Sequence, residues 1–246
     1  MAKGHWWVGK KNFGDLLTPL LFKKFLGITI ERSASMSEAD LVCVGSILDL
    51  VPKGWGGIVL GSGILKPTSK VDLSAAKCLA VRGPLTHATA VGVPKDVVYG
   101  DLGLLADELI PRPAKLHALG LVPHWSDKTL ETRPEFLKYK PLIIRVSDDP
   151  LEVIRQIGSC RKIVSSSLHG VILADAFRIP RRTEMTPQFD KEGGSFKFRD
   201  YAESIGAEFK VGETQEPSAR AVTARQHELY DVLLEAGKFL KQERKT

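Results

Sequence analysis

The segment of this chain best suited to chemistry is residues 163–180, IVSSSLHGVILADAFRIP. An apolar lead, three serines and a histidine precede an apolar run at helical spacing that Pro180 ends, which predicts a strand, a turn and a helix beginning near Gly170. The first amides of a helix have no partner within it and, with the helix dipole, attract anions. Because Ser165–Ser167 and His169 add donors there, the turn predicts a site for phosphate or carboxylate. The alternative is that the serines cap a buried helix and the histidine is structural.

Polar side chains beside other predicted elements are further candidates. Arg82 in VRGPLT lies between an apolar strand and a helix, where its guanidinium can bind carboxylate or phosphate in a bidentate way. An ion pair between two lobes is the alternative for that arginine. Asn12 and Asp15 in NFGDLLTP precede the first helix, where a carboxylate can hold acceptor hydroxyls or act as a base. The alternative role for Asp15, capping the N-terminus of that helix, is equally well supported by the sequence.

The ends of predicted strands carry the remaining candidates. His124 in VPHWSD stands beside Trp125, and this pair suits packing against a sugar or a donor, or else a buried interface. Asp101 in YGD can orient the arginine of VRGPLT or cap a helix. Arg145 in IIRVSD is a basic group that ranks below that arginine, and Gly63 in GSG falls at the end of an apolar strand.

These candidates must be positioned by alternating strands and helices. Short apolar runs that end in glycine, among them DLVCVGSI and GGIVLGSGIL, occur within residues 1–112. Fully apolar strands of this kind are typical of a parallel sheet covered on both faces, whose ligands collect at the carboxyl ends of the strands. The stretch LIPRPAKLHA marks the boundary, and residues 113–246 repeat the βα pattern before a last helix over 217–243. We therefore predict two Rossmann-like α/β lobes.

Composition excludes several classes of protein. With 43% hydrophobic and 26% charged residues the chain is typical of a soluble globular protein, and its apolar runs fall short of the roughly 18 residues that span a bilayer. The N-terminus lacks the apolar core of a signal peptide, so we expect a cytoplasmic protein. Three cysteines without CxxC spacing indicate buried thiols rather than disulfides or a zinc site, and no metal or cofactor is implied.

The formal net charge of +6 favours anionic partners. The basic residues are dispersed and only the tail KFLKQERKT is a basic run, so nucleic acid is not an expected partner. The expected anionic partners are therefore phosphorylated substrates or an anionic lipid surface. A peripheral position at the inner membrane fits the tail, since each basic residue near such a surface contributes about 1 kcal/mol. A solvated helix face is the alternative for the tail.

Seven segments occur in an order that resembles the polysaccharide pyruvyl transferase family. They are WWVGKKNFGDLLTPLLFKKFLG, LGSGIL, VRGPLT, YGDLGLL, LGLVPHWSD, SSSLHG and FKFRDYAESIG. The resemblance covers most of the chain and looks closest to the bacterial exopolysaccharide branch. It implies a glycosyltransferase B-like fold whose last helix packs back on the first lobe, phosphoenolpyruvate as donor and a lipid-linked oligosaccharide as acceptor.

The resemblance also implies roles for individual residues. The VRGPLT arginine, Arg82, and the SLHG histidine, His169, take positions in the donor site, where a charged imidazole can protonate the donor. Ser166 and Ser167 stand at the same turn. Some family members have arginine in place of Ser167, so hydroxyls and amides there, with help from elsewhere, are expected to hold the donor. The expected reaction moves a pyruvyl group to a sugar as a cyclic ketal.

Two other functions fit the same sequence. A sugar-nucleotide-dependent glycosyltransferase would use the same two-lobed arrangement, because a fold does not fix its function. A non-enzymatic carbohydrate-binding protein would give GSG and SSSLHG a purely structural role, but it would leave the convergence of Arg82 and His169 on one cleft as coincidence.

Overall fold

The computed structural model describes residues 1–186 and 194–242. Within these ranges the strands are β1 (Ala2–His5), β2 (Ile30–Arg32), β3 (Leu41–Val42), β4 (Ile58–Ser62), β5 (Lys77–Val81), β6 (Val98–Tyr99), β7 (Gly120–Val122), β8 (Leu142–Ile143), β9 (Ile163–Ser165), β10 (Arg181–Thr183) and β11 (Thr214–Gln215). The α-helices are α1 (Leu17–Leu26), α2 (Pro84–Thr89), α3 (Pro134–Leu137), α4 (Pro150–Gly158), α5 (Leu168–Ala176), α6 (Ser195–Ser204) and α7 (Ala219–Gln242). Short 3-10 helices lie at Met36–Glu38, Leu48–Leu50, Leu102–Leu109 and Leu130–Thr132.

The first sheet has the strand order β2-β1-β3-β4-β5-β6, and all its pairs are parallel. Successive residues of β4 point to opposite faces. Leu60 joins the core cluster that extends into the second half of the chain, and Val59 joins the cluster on the other face. Because both faces are covered, this strand is apolar without alternation. The parallel sheet predicted for the first half of the chain is confirmed.

The second sheet has the order β11-β10-β9-β7-β8 and is parallel except where β10 meets β11. Helix α5 packs on this sheet through β9 and β10, and on its other side it meets the 3-10 helix Leu102–Leu109 of the first half. Every residue of α5 is buried as a result. Two sheets dominated by parallel pairs confirm the α/β class and the Rossmann-like pattern, whereas the glycosyltransferase B-like arrangement stays a prediction.

The two halves of the chain share one core. Leu21 and Leu60 of the first half and Val122 and Ile172 of the second belong to the same buried cluster. Helix α7 packs against α1, β4, β5 and β6, and it buries the apolar side chains Val222, Leu229, Val232, Leu233, Ala236 and Leu240. The division of the chain into 1–112 and 113–246 stays a prediction. Any relative motion of the two parts would have to break this shared core.

The strand, turn and helix predicted for the serine segment are confirmed, and α5 begins at Leu168, two residues before Gly170. Ser167 has an extended backbone at the N-cap, and its amide donates to Ser165 Oγ at 3.0 Å. Gly170 therefore lies inside the first turn. Its role there is packing, since a Cβ at this position would lie 2.3 Å from Ser165 Oγ and 2.9 Å from a methyl carbon of Val122.

The three cysteines, Cys43, Cys78 and Cys160, are buried free thiols, as predicted. Across residues 1–186 and 194–242, no helix combines the length and the apolar character needed to cross a membrane. Over the same described ranges, no three His, Cys, Asp or Glu side chains come together in a way that could hold a metal ion.

A buried ion pair anchors helix α6 on the first sheet's side of the molecule. Asp200 Oδ2 lies 2.9 Å from Arg82 Nε, and both side chains are fully buried. The same carboxylate accepts hydrogen bonds from the amide and the hydroxyl of Thr86 at 2.9 and 2.6 Å. The other two guanidinium nitrogens donate to the Ile64 carbonyl at 2.6 Å and to the Ser46 hydroxyl. Each nitrogen of Arg82 therefore has a partner, and α6 is held against α2.

Replacing Arg82 with Met should destabilise the protein by about 3–5 kcal/mol, because the Asp200 carboxylate would stay buried without its cation. Arg145→Met is the matched control: Arg145 pairs with Glu131 but is half exposed, and pairs of that kind contribute about 1 kcal/mol or less. Urea unfolding of both variants measures the two losses. Equal losses would contradict the anchoring role of the buried pair.

Candidate active site

A cleft of about 350 Å³ lies between the two sheets, and all its lining residues except Lys197 of α6 follow the carboxyl ends of β1, β3, β4, β7 and β9. They are Trp7, Asn12, Asp15, Ser46, Ile47, Asp49, Leu50, Leu65, His124, Trp125, Ser167, Leu168, His169 and Lys197. Ligands of parallel sheets bind at such ends. A larger cavity of about 520 Å³ lies against α3, but none of the predicted site residues lines it. The cleft is therefore the candidate active site.

The cleft brings together Asn12, Asp15, His124, Ser167 and His169, all of which were predicted from the sequence. Their loops are fixed by local hydrogen bonds. The side-chain carbonyl of Asn12 accepts from the backbone amide two residues later at 3.2 Å. The remaining serine of the turn, at position 166, lies directly behind the lining, where its hydroxyl accepts from the backbone amide of His124 at 2.9 Å. The serine turn therefore also positions the histidine loop.

Besides Ser166, four predicted site residues do not line the cleft. Arg82 makes the buried ion pair described above, which was the alternative weighed for it, and its contact with a donor stays a prediction. Gly63 provides space for that arginine, since a Cβ at Gly63 would lie 2.2 Å from Arg82 Cζ. Arg145 pairs with Glu131 away from the cleft. Asp101 is fully buried behind the lining.

His169 reaches the cleft from the first turn of α5. Its ring meets Phe13 edge-on with centroids 6.2 Å apart, and a Cβ on Gly14 would lie 1.9 Å from Nδ1, so position 14 has no room for a side chain. Nε2 is buried 3.8 Å from Asp101 Oδ2, and within the described residues neither atom has a hydrogen-bond partner. Asp101 Oδ1 caps the 3-10 helix by accepting from the amide of Gly103 at 2.8 Å. The carboxylate thus stands behind the imidazole, whose ring lines the cleft.

Asp15 is a buried carboxyl at the edge of the cleft. Helix α1 has Leu16 at its N-cap and no side-chain cap, so Asp15 does not take the capping role that was its alternative. Burial raises the pKa of Asp15 to about 6, Asp101 adds to the rise, and the neighbouring His169 and Lys197 oppose it. A carboxyl with this pKa exchanges its proton near neutral pH, as general acid–base catalysis requires.

Lys197 lines the cleft but was not predicted as a site residue. It lies in the first turn of α6 and is buried. Burial lowers the pKa of its ammonium to about 8, Arg82 lowers it further, and Asp15 raises it. The available signal was the FKF triplet, because Phe196 and Phe198 pack against the two core clusters and so bring this turn of the helix into the interior. The segment was instead interpreted as a polar loop and a helix.

Aromatic side chains flank the entrance. The rings of His124 and Trp125 pack with centroids 5.1 Å apart. Burial lowers the pKa of His124 to about 4, and Lys197 lowers it further while Asp127 raises it. This imidazole is therefore neutral near pH 7 and is a poor proton donor. Trp125 is 45% exposed and Trp7, which comes from the other sheet's loops, is 48% exposed, so an apolar ring stands on either side of the opening.

Comparison with known proteins identifies the family. A family model described as polysaccharide pyruvyl transferase matches residues 3–182. The chain belongs to this family. It is 33% identical over 217 residues to the succinoglycan biosynthesis protein ExoV of Rhizobium meliloti (strain 1021), an alignment that covers 85% of the chain and 66% of ExoV, just under two thirds of that protein's length. This relative supports the exopolysaccharide branch of the family and an enzyme of the pyruvyl transferase type.

Two further similarities complete the comparison. Over 222 residues the chain is 30% identical to the uncharacterized protein L143 of Acanthamoeba polyphaga mimivirus, with 83% of the chain and 74% of L143 aligned. The crystal structure of the functionally uncharacterized protein KP1_0663 from Klebsiella pneumoniae aligns with 79% of the chain and 87% of that protein at 11% identity and a TM-score of 0.41.

Replacing Asp15 with Asn should stabilise the protein above pH 6. The folded-state pKa of Asp15, about 6, exceeds the ordinary aspartate value of 3.8. Below pH 3.8 the carboxyl therefore costs no folding stability, between pH 3.8 and 6 the loss grows, and above pH 6 it is complete. At pH 7.5 the gain should approach about 3 kcal/mol, at about 1.4 kcal/mol per pKa unit. Urea unfolding at pH 4 and pH 7.5 measures it.

Asp127→Asn is the control of opposite sign. Burial alone would raise the pKa of Asp127, but hydrogen bonds from Ser166, Thr129 and Leu130 lower it overall. Its ionised form therefore contributes stability above the unfolded-state pKa, and the Asn variant should lose stability at pH 7.5. The raised pKa of Asp15 would be refuted if both variants lost stability alike.

Proposed function

We propose that this protein transfers the pyruvyl group of phosphoenolpyruvate to two hydroxyls of one sugar in an exopolysaccharide precursor and so forms a cyclic ketal. The observation that carries the proposal is that two proton-exchanging groups share the cleft at the N-terminus of α5: Asp15 with its raised pKa, and His169 with a carboxylate behind it. Family membership supports the reaction class.

The reaction needs a proton donor and a proton acceptor. A proton added to the methylene carbon of phosphoenolpyruvate makes C2 electrophilic. The first sugar hydroxyl bonds to C2 and loses its proton, the C2–O bond to phosphate breaks, and the second hydroxyl bonds to C2 and loses its proton. In balance, one proton enters the new methyl group, two hydroxyl protons are released, and inorganic phosphate keeps the electron pair of the broken bond.

His169 is the proposed acid and Asp15 the proposed base. Asp101 lies behind Nε2 at 3.8 Å, and the imidazole lines the cleft, where an imidazolium can donate a proton to the donor. Asp15 is mostly ionised above pH 6 and can take the proton of an attacking hydroxyl. His124 lines the same cleft, and its Nδ1 is hydrogen-bonded to the Ser126 hydroxyl at 2.7 Å.

The start of α5 supports binding of the anionic donor. The amides of Leu168, His169 and Gly170 have no partner within the helix and point out of its N-terminus. Ser167 makes no side-chain capping bond, and its side chain lines the cleft beside them. A phosphate or carboxylate held here lies next to the imidazole that is to protonate the methylene carbon.

Trp7 and Trp125 support a sugar as the acceptor. Indole rings have flat apolar faces that suit the C–H faces of sugar rings, and both are exposed at the entrance. In our proposal the acceptor is a lipid-linked oligosaccharide, met by a cytoplasmic enzyme at the inner-membrane surface. The net charge of +6 favours contact with anionic headgroups there.

His169→Ala should lower turnover by about 10² to 10⁴, the usual contribution of general acid catalysis, while the protein stays folded. His169→Gln should be nearly as slow, because an amide can form hydrogen bonds but cannot act as an acid. Phosphate release from phosphoenolpyruvate with a panel of lipid-linked oligosaccharides measures the rate, and mass spectrometry of the acceptor detects the added ketal.

His227→Ala is the control, since His227 lies exposed on α7, away from the cleft. Parent-like turnover of His169→Gln would exclude the acid role. Thermal shift with phosphoenolpyruvate against nucleotide sugars tests the reaction class. Stabilisation by a nucleotide sugar and none by phosphoenolpyruvate would replace the proposed function with glycosyl transfer.

Trp125→Ala should raise the acceptor KM by about tenfold, corresponding to roughly 1.4 kcal/mol of lost ring contact, and leave the donor KM unchanged. Tyr139→Ala is the control, because Tyr139 is exposed but lies at the cavity under α3. Steady-state kinetics with each substrate varied in turn separates the two constants. A rise in the donor KM instead would move Trp125 to the donor side.

A further inference from the structure

We infer that Lys197 supplies the positive charge that binds the phosphate group of the donor in this cleft. The inference takes the identity of the donor from the proposed function, but its central claim, a phosphate subsite built on Lys197, does not depend on ketal formation. Among the described residues that line the cleft, Lys197 is the one lysine or arginine. Arg82, the cation expected at the donor from the sequence, has its three nitrogens engaged elsewhere.

The need for a cation follows from charge. Helix amides and serine hydroxyls at the start of α5 carry no net charge, whereas a phosphate monoester carries close to two negative charges near neutral pH. The carboxyl of Asp15 in the same cleft adds a third as it ionises. Without an ammonium between them, the donor would be repelled by the group that is to act as base. Lys197 lines the same cleft as Asp15 and His124, and its positive charge lowers the pKa of both.

The fold fixes this placement. Asp200 lies three residues after Lys197, so the two side chains share a face of α6, and the ion pair of Asp200 with Arg82 turns that face toward the cleft. Phe196 packs against the cluster of the first sheet and Phe198 against the shared core. Lys197 itself is buried and lines the cleft, and its ammonium lies 5.7 Å from the centroid of the Phe198 ring.

Burying an ammonium is costly, and a protein that keeps one in a cleft generally uses it. Burial and the nearby guanidinium of Arg82 lower the pKa of Lys197 to about 8, against the attraction of Asp15. An arriving phosphate favours the charged form, so Lys197 should take up a proton on binding wherever it is partly neutral beforehand. Lysine is suited to this task, because it binds phosphate as a compact point charge.

The experiment measures binding of inorganic phosphate and of phosphoenolpyruvate by calorimetry, together with steady-state kinetics. Lys197→Met keeps the stem and removes the charge, and it should weaken both affinities by about 10- to 100-fold, as expected for a lost hydrogen bond to a charged group. The acceptor KM should not change. Lys115→Met is the control, since Lys115 is a part-buried lysine whose ammonium binds the carbonyls of Gly158 and Cys160 outside the cleft. It should leave phosphate affinity within about twofold.

A pH series adds a measurement that would show no effect of Lys197 if this lysine had only a structural role. Phosphate affinity should fall between pH 7.5 and 9.5 as the ammonium of Lys197 loses its proton. The groups that face it are Asp15 and His124, whose pKa values of about 6 and 4 lie below this window, together with His169 and the permanently charged Arg82. Lys197→Arg should retain binding within a few-fold and lose the decline, because a guanidinium does not titrate there.

The outcomes separate this inference from the proposed function. Phosphate affinity equal to the parent's in Lys197→Met would overturn the assignment, as would a parent protein that binds no phosphate. If Lys197→Met does not fold, Lys197→Gln provides a second neutral variant, and the loss of the pH decline in Lys197→Arg decides the question without either. A protein that binds phosphate through Lys197 but releases none from phosphoenolpyruvate would refute the proposed function alone. Turnover with an unchanged donor KM in the neutral variants would refute the Lys197 assignment alone.

Discussion

The buried pair between Arg82 and Asp200 joins segments that lie 118 residues apart in the chain. Two fully buried charges are tolerated only when they are paired and hydrogen-bonded, so this contact has a single acceptable geometry. That geometry sets the rotation of α6, and through it the position of Lys197. It also holds the hydroxyl of Ser46 at the cleft. Arg82, whose residue type suggests that it binds the donor, thus positions Lys197 and Ser46 at the cleft.

The charged groups inside the cleft shift one another's pKa values. Asp15 and Lys197 attract, yet each is driven toward its neutral form by burial, which is why the pKa of Asp15 is raised to about 6 and that of Lys197 lowered to about 8. Both groups therefore respond strongly to an anion or a hydroxyl that enters. Asp101 restrains His169 from behind in the same low-dielectric setting. A site with its charges arranged in advance needs little reorganisation when a charged donor binds.

Much of this structure is predictable from the sequence because it depends on local patterns. Apolar runs ending in glycine identify the parallel strands of the first sheet, and the spacing of Leu229 and Leu233 identifies the last helix. What local patterns cannot supply is which strand ends meet. Arg82 could be placed at a strand end but not paired with Asp200, and Lys197 was missed because its importance comes from where α6 docks. The start of α5 could be placed only to within two residues, because Gly170 serves packing against Ser165 inside the first turn and does not mark the boundary.

The glycine-containing motifs illustrate how residues far apart in the chain act as one unit. Gly14 of NFGD leaves the space that the imidazole of His169 in SSSLHG occupies, and Gly63 of GSG leaves the space for the guanidinium of Arg82 in VRGPLT. A Cβ would lie 1.9 Å and 2.2 Å from those side chains respectively, so a side chain at either position would force the histidine or the arginine to shift. Each of these glycines therefore serves packing against the partner motif. Seven weak motifs in one order are informative because several of them are complementary halves of the same contact.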